Sequence, residues 1–305
     1  MATVEIDTLE KLIAFSSGDY GRGSSGAYLD VALTADLDFA DLTEHDVPYS
    51  WNGCTGSWYV NFDGQGHTID NIYFIGTGNW GFFQELSAGS AVKNLKLTNM
   101  YIAASCSVPG GAAGVVSVAQ SNCIIQGCHI SGQIENTSVT GGYGNNNNCV
   151  AGVVGFPNGG GTKILNCSFS GVLKVAAGAD AHAHGIVGHG NNGGCSVYNC
   201  MANVNFASNL SPNIGIKCFN NQETVNCEFR GQNVEFPFGF NTNVNCIGIV
   251  ESYIRQIQCP DTHINCYMDS DKATAAGITI PSNCGSATTA ELKDSSWLFA
   301  HGFAI

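Results

Sequence analysis

Charged residues are scarce in this sequence, and cations are the scarcest of them. Asp, Glu, Lys and Arg make up 11% of the 305 residues, and 24 acidic residues outnumber 11 Lys and Arg, for a formal net charge of −13. A nucleic-acid-binding surface needs clustered cations that displace counterions from phosphates. No run of Lys or Arg forms such a cluster. We therefore expect no nucleic-acid partner.

Long apolar runs are also missing. The sequence has no apolar span of about 20 residues, the length that crosses a bilayer as a helix. Its first ten residues carry Glu5, Asp7 and Glu10 instead of the basic segment and apolar stretch of a secretory signal peptide. We expect no membrane insertion and no signal peptide in this chain.

Glycine and asparagine are abundant and recur in register. The 39 Gly favour closely spaced turns over helices. An Asn followed by a small apolar residue recurs at intervals of 19 to 39 residues, and Gly127-Cys128 takes the same place in one repeat. The members are Asn71-Ile72, Asn94-Leu95, Asn166-Cys167, Asn199-Cys200, Asn226-Cys227, Asn245-Cys246 and Asn265-Cys266. Repeats of this length are typical of stacked solenoids, which grow along one axis as one domain.

A second column of glycines precedes the first. Its members lie 12 to 15 residues before the small apolar residue, so each repeat has at least two short strands. They are Gly81-Phe82-Phe83, Gly114-Val115-Val116, Gly152-Val153-Val154, Gly185-Ile186-Val187 and Gly215-Ile216. We interpret the Asn residues as an asparagine ladder, because Asn tolerates the left-handed conformation at a turn and can bond the Asn above and below it.

Fourteen cysteines raise the question of disulfides. Many of them lie in register with Ile or Leu, which favours small buried apolar side chains in a protein with reduced thiols. Stacked strands bring equivalent Cα atoms about 4.8 Å apart, within the range of a disulfide, so oxidation remains geometrically possible.

One run of residues points to a family. Residues 61–69 read Asn-Phe-Asp-Gly-Gln-Gly-His-Thr-Ile, and Trp80-Gly81-Phe82-Phe83 and Val92-Lys93-Asn94-Leu95 follow. This run resembles the bacterial GLUG-motif repeats, whose pattern is Phe-Asp-Gly-x-Gly-His-Thr-Ile, then Gly-Leu-Phe, then Ile-x-Asn-Leu. The resemblance implies a right-handed parallel β-helix of adhesin-like surface proteins, with no shared catalytic residues. The middle repeats depart from the pattern, with Cys in place of Leu and long Asn/Gly insertions.

Both ends of the chain carry signals of capping helices. Asp7 and Glu10 fit a capping box for a helix over residues 7–18, and Thr288 with Glu291 fits another that would bury Phe299. We predict an all-β, right-handed parallel β-helix (solenoid) with short capping helices at its N- and C-terminal ends. It forms one domain over 1–305, with an N-terminal cap and entry strands at 1–59, stacked coils at 60–285 and a C-terminal cap at 286–305.

Ligand-binding candidates come from aromatic and amide side chains on loops. Trp and Tyr on a rigid surface stack on sugar rings and also anchor protein interfaces. The candidate ligand-binding residues are Trp51, Trp58, Tyr59, Tyr143, Asn145, Asn146, Asn147 and Asn148. The alternative for Trp58 is that it fills the cap or the core.

Catalytic and metal signals are weak. Asp63 and Asp70 are the best-placed carboxylates for polysaccharide cleavage, but Asp63 lies in a turn where Asp commonly bonds its own backbone. His182 and His184 share one strand face, as zinc-binding pairs do, yet no Cys or carboxylate stands at a typical ligand spacing. We predict no catalytic residues, no metal and no cofactor, with His182 and His184 as weak metal candidates.

These observations favour a non-catalytic binding or structural protein. We expect a phage virion appendage (tail fibre, tip or head decoration) or a surface adhesin, located on a virion, outside the cell or at its surface. Its partners would be a cell-surface glycan or protein receptor and other virion or surface subunits, with homo-oligomerisation possible. Two alternatives stay open: a polysaccharide depolymerase, either lyase or glycoside hydrolase, and a purely architectural particle subunit.

Overall fold

The fold is built from long parallel β-sheets. The computed structural model describes residues 2–44, 47–106, 110–138, 149–176, 182–190, 194–207, 213–216, 222–234, 236–238, 241–253 and 262–303. Within these ranges most residues lie in strands, and the helices are short. None of these helices is long and apolar enough to span a bilayer. The sheets are consistent with the predicted parallel β-helix.

The first sheet has ten strands, and their order in space is their order along the chain. Adjacent strands are parallel along the whole sheet. The strands are Val4–Ile6, Leu29–Leu33, Val60–Asp63, Ala91–Lys93, Ile124–Gln126, Thr162–Leu165, Cys195–Tyr198, Glu223–Val225, Thr242–Val244 and His263–Ile264. Each repeat therefore contributes one strand to this sheet.

The second sheet has eleven strands and also follows chain order. The strands are Leu37–Asp38, Thr68–Asp70, Tyr73–Thr77, Lys96–Ser105, His129–Asn136, Ser168–Val175, Met201–Phe206, Glu228–Gln232, Ile247–Val250, Tyr267–Asp269 and Gly285–Ala287. Both Thr68–Asp70 and Tyr73–Thr77 pair with the ten-residue strand Lys96–Ser105. One long strand thus pairs side by side with two shorter strands of the preceding repeat.

Two four-stranded sheets and a hairpin complete the β-structure. The third sheet contains Cys54–Trp58, Phe83–Leu86, Val116–Gln120 and Val154–Asn158, and the fourth contains Gly111–Ala113, Cys149–Ala151, His182–His184 and Asn213–Ile214. Thr43–Glu44 and Val47–Pro48 form the antiparallel hairpin. The α-helices are Leu9–Ser17, Ser270–Ala275 and Ser295–Ala300, and the 3₁₀ helices are Phe39–Asp41 and Glu291–Lys293.

The asparagine ladder is present and differs in one member from its prediction. Asn166, Asn199, Asn226, Asn245 and Asn265 all have φ of 52–53°, and each amide nitrogen from Asn199 onwards donates to the preceding Asn oxygen at 3.0–3.1 Å. The left-handed backbone conformation at each turn explains the choice of Asn, because most other side chains are strained there.

Asn71-Ile72 does not belong to this ladder. The Gly64 N–H donates to Lys93 O, next to Asn94, so Gly64 occupies the ladder position of that repeat. Asn71 instead donates its N–H to Thr98 O and aligns with Asn99, and the two have φ of 58° and 51°. The predicted alignment of Asn71 with Asn94 was wrong, because two Asn turns of similar chemistry, at Asn94 and Asn99, occur in one repeat.

The glycine column is confirmed and has a steric cause. A Cβ on Gly152 would lie 2.1 Å from Gly185 O, and one on Gly185 would lie 1.7 Å from Gly215 O. Carbon and oxygen cannot approach so closely, so the sharp turns at this corner stack only if they lack side chains.

Twelve of the fourteen cysteines lie in the described residues, and all twelve are free thiols with buried side chains. In the column of the ladder, the Sγ atoms of Cys167, Cys200 and Cys227 lie 3.2–3.3 Å from the carbonyl oxygen two residues earlier. Burial raises the pKa of Cys200. For these twelve, the prediction of small buried side chains is confirmed.

The capping helices differ in detail from the sequence prediction. The first helix begins after Thr8, whose hydroxyl accepts from Lys11 N, while Asp7 forms an ion pair with Lys11 at 2.7 Å. At the other end, Thr288 and Glu291 form the expected reciprocal capping box. Phe299 is 76% exposed, so the expectation that it is buried was wrong.

Candidate functional site

Two tyrosines stand out on the outer face of the second sheet. Tyr73 opens the strand Tyr73–Thr77, and Tyr101 lies directly opposite it in Lys96–Ser105. Their neighbours Phe74 and Ile102 are buried in the core, so strand alternation turns both phenol rings outward. The ring centroids are 5.6 Å apart with an angle of 16° between the planes. The sheet thus displays a stacked aromatic pair at its surface.

The tyrosine pair lies in a groove of about 280 Å³. Its lining is mainly apolar, as in many small-molecule sites. The lining residues are Phe39, Ala40, Pro48, Asn71, Ile72, Tyr73, Asn99 and Tyr101. Tyr101 is 39% exposed, so a ligand can reach its ring. We call this feature the tyrosine groove.

Two amides flank the aromatic pair with fixed orientations. Asn71 Nδ2 donates to Asp38 Oδ1 at 2.7 Å and to Asp70 Oδ2 at 3.3 Å. Asn99 Nδ2 donates to Asp70 Oδ1 at 2.9 Å. Because ionised carboxylates only accept hydrogen bonds, the nitrogens must face the acids and the amide oxygens point away from them. Neither amide oxygen accepts a hydrogen bond from a described residue.

An open groove with an aromatic pair and two spare acceptors is suited to a sugar. Sugar rings have apolar faces that stack on aromatic rings, and their hydroxyls donate to amide oxygens. Hydrogen bonds to Asp38 and Asp70 orient both amides without help from a ligand. The site is therefore largely preformed.

The carboxylates behind the amides are engaged in structural bonds. Asp38 and Asp70 lie opposite each other in adjacent strands, and both accept from the Asn71 amide. Asp70 also accepts from Thr98 Oγ1 at 2.6 Å, and neither acid lines the groove. Asp63 accepts from Gln65 N at 2.9 Å, the backbone bond expected for that turn.

Trp51 and Trp58, two of the candidate ligand-binding residues, are in the core. They are 2% and 0% exposed, so neither ring can stack on a ligand, and this part of the prediction was wrong. Trp51 Nε1 donates to Ser16 Oγ at 3.2 Å, and Trp58 Nε1 donates to Thr55 O at 3.0 Å. Large aromatic rings are needed to fill the first repeats, where the N-terminal helix closes the core.

The remaining loop candidates are less informative. Tyr59 is half-buried and packs edge-on against Tyr28, with ring centroids 5.9 Å apart, away from the tyrosine groove. Tyr143, Asn145, Asn146, Asn147 and Asn148 lie outside the described residues.

His182 and His184 lie side by side in the fourth sheet. They are 2% and 0% exposed, and their ring centroids are 5.8 Å apart. Burial, followed by the nearby His182 and His189, holds the pKa of His184 well below its usual value. Among the described residues, no three His, Cys, Asp or Glu side chains are placed to hold a metal ion.

One serine and one histidine approach each other on the outer face. His129 Nδ1 lies 2.9 Å from Ser168 Oγ, a distance that suits a nucleophile and its base. In a hydrolytic triad a carboxylate orients the histidine, and no described carboxylate bonds to His129. We interpret this contact as a bond between side chains that stack on neighbouring strands.

The tyrosine pair was missed in the sequence because of the misaligned repeat. Aligning Asn71 with Asn94 places Tyr73 beside Lys96, whereas the true partner of Asn71 is Asn99. With that register, Tyr73 and Tyr101 both follow their Asn by two positions, and their pairing becomes visible in the sequence.

Comparison with known proteins supports the fold alone. No family model matches the sequence, and no curated protein matches it. The structure is similar to the 1.30 Å crystal structure of a "putative immunoglobulin A1 protease" from Bacteroides ovatus, with a TM-score of 0.56. The two share 16% sequence identity, over 97% of this chain and 86% of that chain. At this identity the similarity concerns the backbone arrangement.

Proposed function

We propose that this chain is a non-catalytic, glycan-binding parallel β-helix of the right-handed GLUG type, working as a virion appendage or a surface adhesin. The observation that carries the proposal is the tyrosine groove. Its stacked Tyr73 and Tyr101 rings and the spare oxygens of Asn71 and Asn99 match the apolar faces and hydroxyls of a sugar. A rigid sheet holds these groups in place before the ligand arrives, which lowers the entropic cost of binding.

A glycan microarray of neutral and acidic bacterial polysaccharides tests this proposal. Wild-type protein should bind a subset of the glycans, and a Tyr73→Ala/Tyr101→Ala variant should lose most of that signal. Tyr20→Ala is the matched control, because Tyr20 is 41% exposed, against 39% for Tyr101, and does not line the groove. Equal binding by the double variant and the wild type would refute the assignment.

A polysaccharide depolymerase is the second candidate. The observation in its favour is the pair Asp38 and Asp70, because two carboxylates on neighbouring strands can have the separation of retaining glycosidases. Their bonds to Asn71, Thr98 and Asn99 and their position outside the groove support a structural role. Incubation with each bound glycan, followed by assays for new reducing ends and unsaturated sugars, separates the candidates, since turnover would overturn the non-catalytic proposal.

A further inference from the structure

A groove at the C-terminal end of the second sheet gathers an unusual share of the positive charge. Three of the chain's 11 Lys and Arg line it: Arg230, Lys272 and Lys293. Its volume is about 520 Å³, and Glu251 is the acid in its lining. In a chain with a net charge of −13, this concentration of cations sets the groove apart. We call it the cationic groove.

Residues 270–293, which include the start of the C-terminal cap, build one wall of the cationic groove. Arg230 comes from the outer face of Glu228–Gln232, Lys272 from the helix Ser270–Ala275, and Lys293 from the 3₁₀ helix Glu291–Lys293. Leu292, beside Lys293, packs in one buried cluster with Ile247 and Ile249. The C-terminal cap therefore packs on the outer face of the last strands and brings Lys293 to the groove.

Two of the three cations have no ionic partner among the described residues. Arg230 pairs with Glu228 on its own strand, whereas Lys272 and Lys293 form no ion pair with any residue that the structure describes. Two acids on the same segment are engaged elsewhere, because Asp271 accepts from Thr289 N and Glu291 accepts from Thr288. Glu251 lines the groove and forms no ion pair with a described residue, so it offsets one of the three positive charges. Two ammonium groups are thus available to an anionic ligand.

An uncharged track connects the two grooves along the outer face. Strand pairing places Gln133, Val172 and Asn205 in line between Tyr101 and Gln232. The neighbouring line consists of Ser131, Ser170 and Asn203, and leads to Arg230. No charged side chain belongs to these two lines between the grooves. Four strand spacings separate Tyr101 from Arg230, or about 19 Å.

We propose that this face binds a linear acidic glycan parallel to the stacking axis, with a sugar ring on Tyr101 and a carboxylate or sulfate group between Lys272 and Lys293. The inference rests on the proposed glycan-binding function and adds the class of ligand. The uncharged track suits sugar hydroxyls, and the cationic groove recognises the acid. An otherwise acidic surface repels polyanions, so attraction is confined to the groove.

Affinity gel electrophoresis with matched polysaccharides tests the inference. Polygalacturonate and its methyl ester form the carboxylate arm, and chondroitin sulfate and desulfated chondroitin form the sulfate arm. The wild type should bind the charged member of at least one pair more tightly, and added salt should weaken that binding. Lys272→Ala/Lys293→Ala should lower the affinity for that member about tenfold, since it removes two ionic contacts, one from the half-buried Lys272 and one from the exposed Lys293.

The controls separate a failure of the inference from a failure of the proposed function. Lys163→Ala removes an exposed cation from the first sheet and should leave binding unchanged. Binding to a charged polymer that does not respond to the double lysine substitution overturns the inference but leaves the proposed function intact. If Tyr101→Ala also leaves all glycan binding unchanged, the proposed function fails as well. A lysine-dependent preference for the charged members supports the inference.

Discussion

The vacancy in the asparagine ladder offers a quantitative test of how the repeats are stabilised. Gly127 has φ of 63° and lies between Asn94 and Asn166 in the column. An Asn at this position can adopt the same conformation, donate to Asn94 Oδ1 and accept from Asn166 Nδ2, as Asn199 does with its own neighbours. A Cβ at residue 127 would lie 3.0 Å from Asn94 Oδ1, so the Asn94 amide must rotate slightly.

The expected change in the free energy of unfolding has three contributions: two new amide hydrogen bonds and the replacement of a glycine. Each new amide bond at an exposed position contributes about 0.5–1 kcal/mol. Replacing Gly removes freedom from the unfolded chain and adds about 0.4–1 kcal/mol. The two bonds and the lost freedom together should therefore raise the free energy of unfolding of Gly127→Asn by about 1.5–3 kcal/mol. Gly127→Ala gains the same entropy but has no amide and bears left-handed strain of about 1–2 kcal/mol, so it should lower stability.

Urea denaturation followed by circular dichroism measures both variants against the wild type. The difference between Gly127→Asn and Gly127→Ala isolates the amide together with the tolerance of Asn for positive φ. An Asn variant no more stable than the Ala variant would refute the view that the ladder stabilises the stack.

Three further predictions concern the core and its corner. Gly185→Ala should destabilise by about 3 kcal/mol or more, seen as a lower urea midpoint or loss of soluble protein, because its Cβ would lie 1.7 Å from Gly215 O. The Cys200 thiol should react with a maleimide only as fast as the chain opens, because it is 2% exposed and burial also raises its pKa; rapid labelling of folded protein would contradict this. Burial lowers the pKa of His184, so the unfolded state binds its proton more readily, and stability should fall as the pH drops below about 6.5. His184→Leu should flatten that fall, and an unchanged urea midpoint profile between pH 7 and 5 would argue against the assignment.

The repeats could be predicted from the sequence because single positions dictate their chemistry. Asn199 and Gly185 are required by a left-handed turn and by a close approach of backbones, and both requirements recur in every repeat. Register was harder, because Asn94 and Asn99 have the same local chemistry in one repeat and only Asn99 lies opposite Asn71. Only the long strand Lys96–Ser105, which pairs with two shorter strands, separates the two columns.

The type of candidate site could be predicted from the sequence, but the residues that form it could not. Aromatic side chains on a rigid surface were expected, but Trp51 and Trp58 fill the core under the N-terminal helix, and Tyr73 and Tyr101 take the exposed position. A Trp in a polar, Gly-rich segment looks exposed in the sequence, and only the packing of the cap shows that it is buried. The cationic groove depends on residues from three separate elements, which no local pattern brings together.

Isothermal titration calorimetry with a glycan from the microarray tests the central claim most directly, comparing the wild type with Tyr101→Ala, Tyr101→Phe and Tyr20→Ala. Stacking on the exposed ring predicts that Tyr101→Ala weakens binding about tenfold or more, while Tyr101→Phe keeps most of the affinity and Tyr20→Ala keeps all of it. Equal affinities for the wild type and Tyr101→Ala would contradict the account.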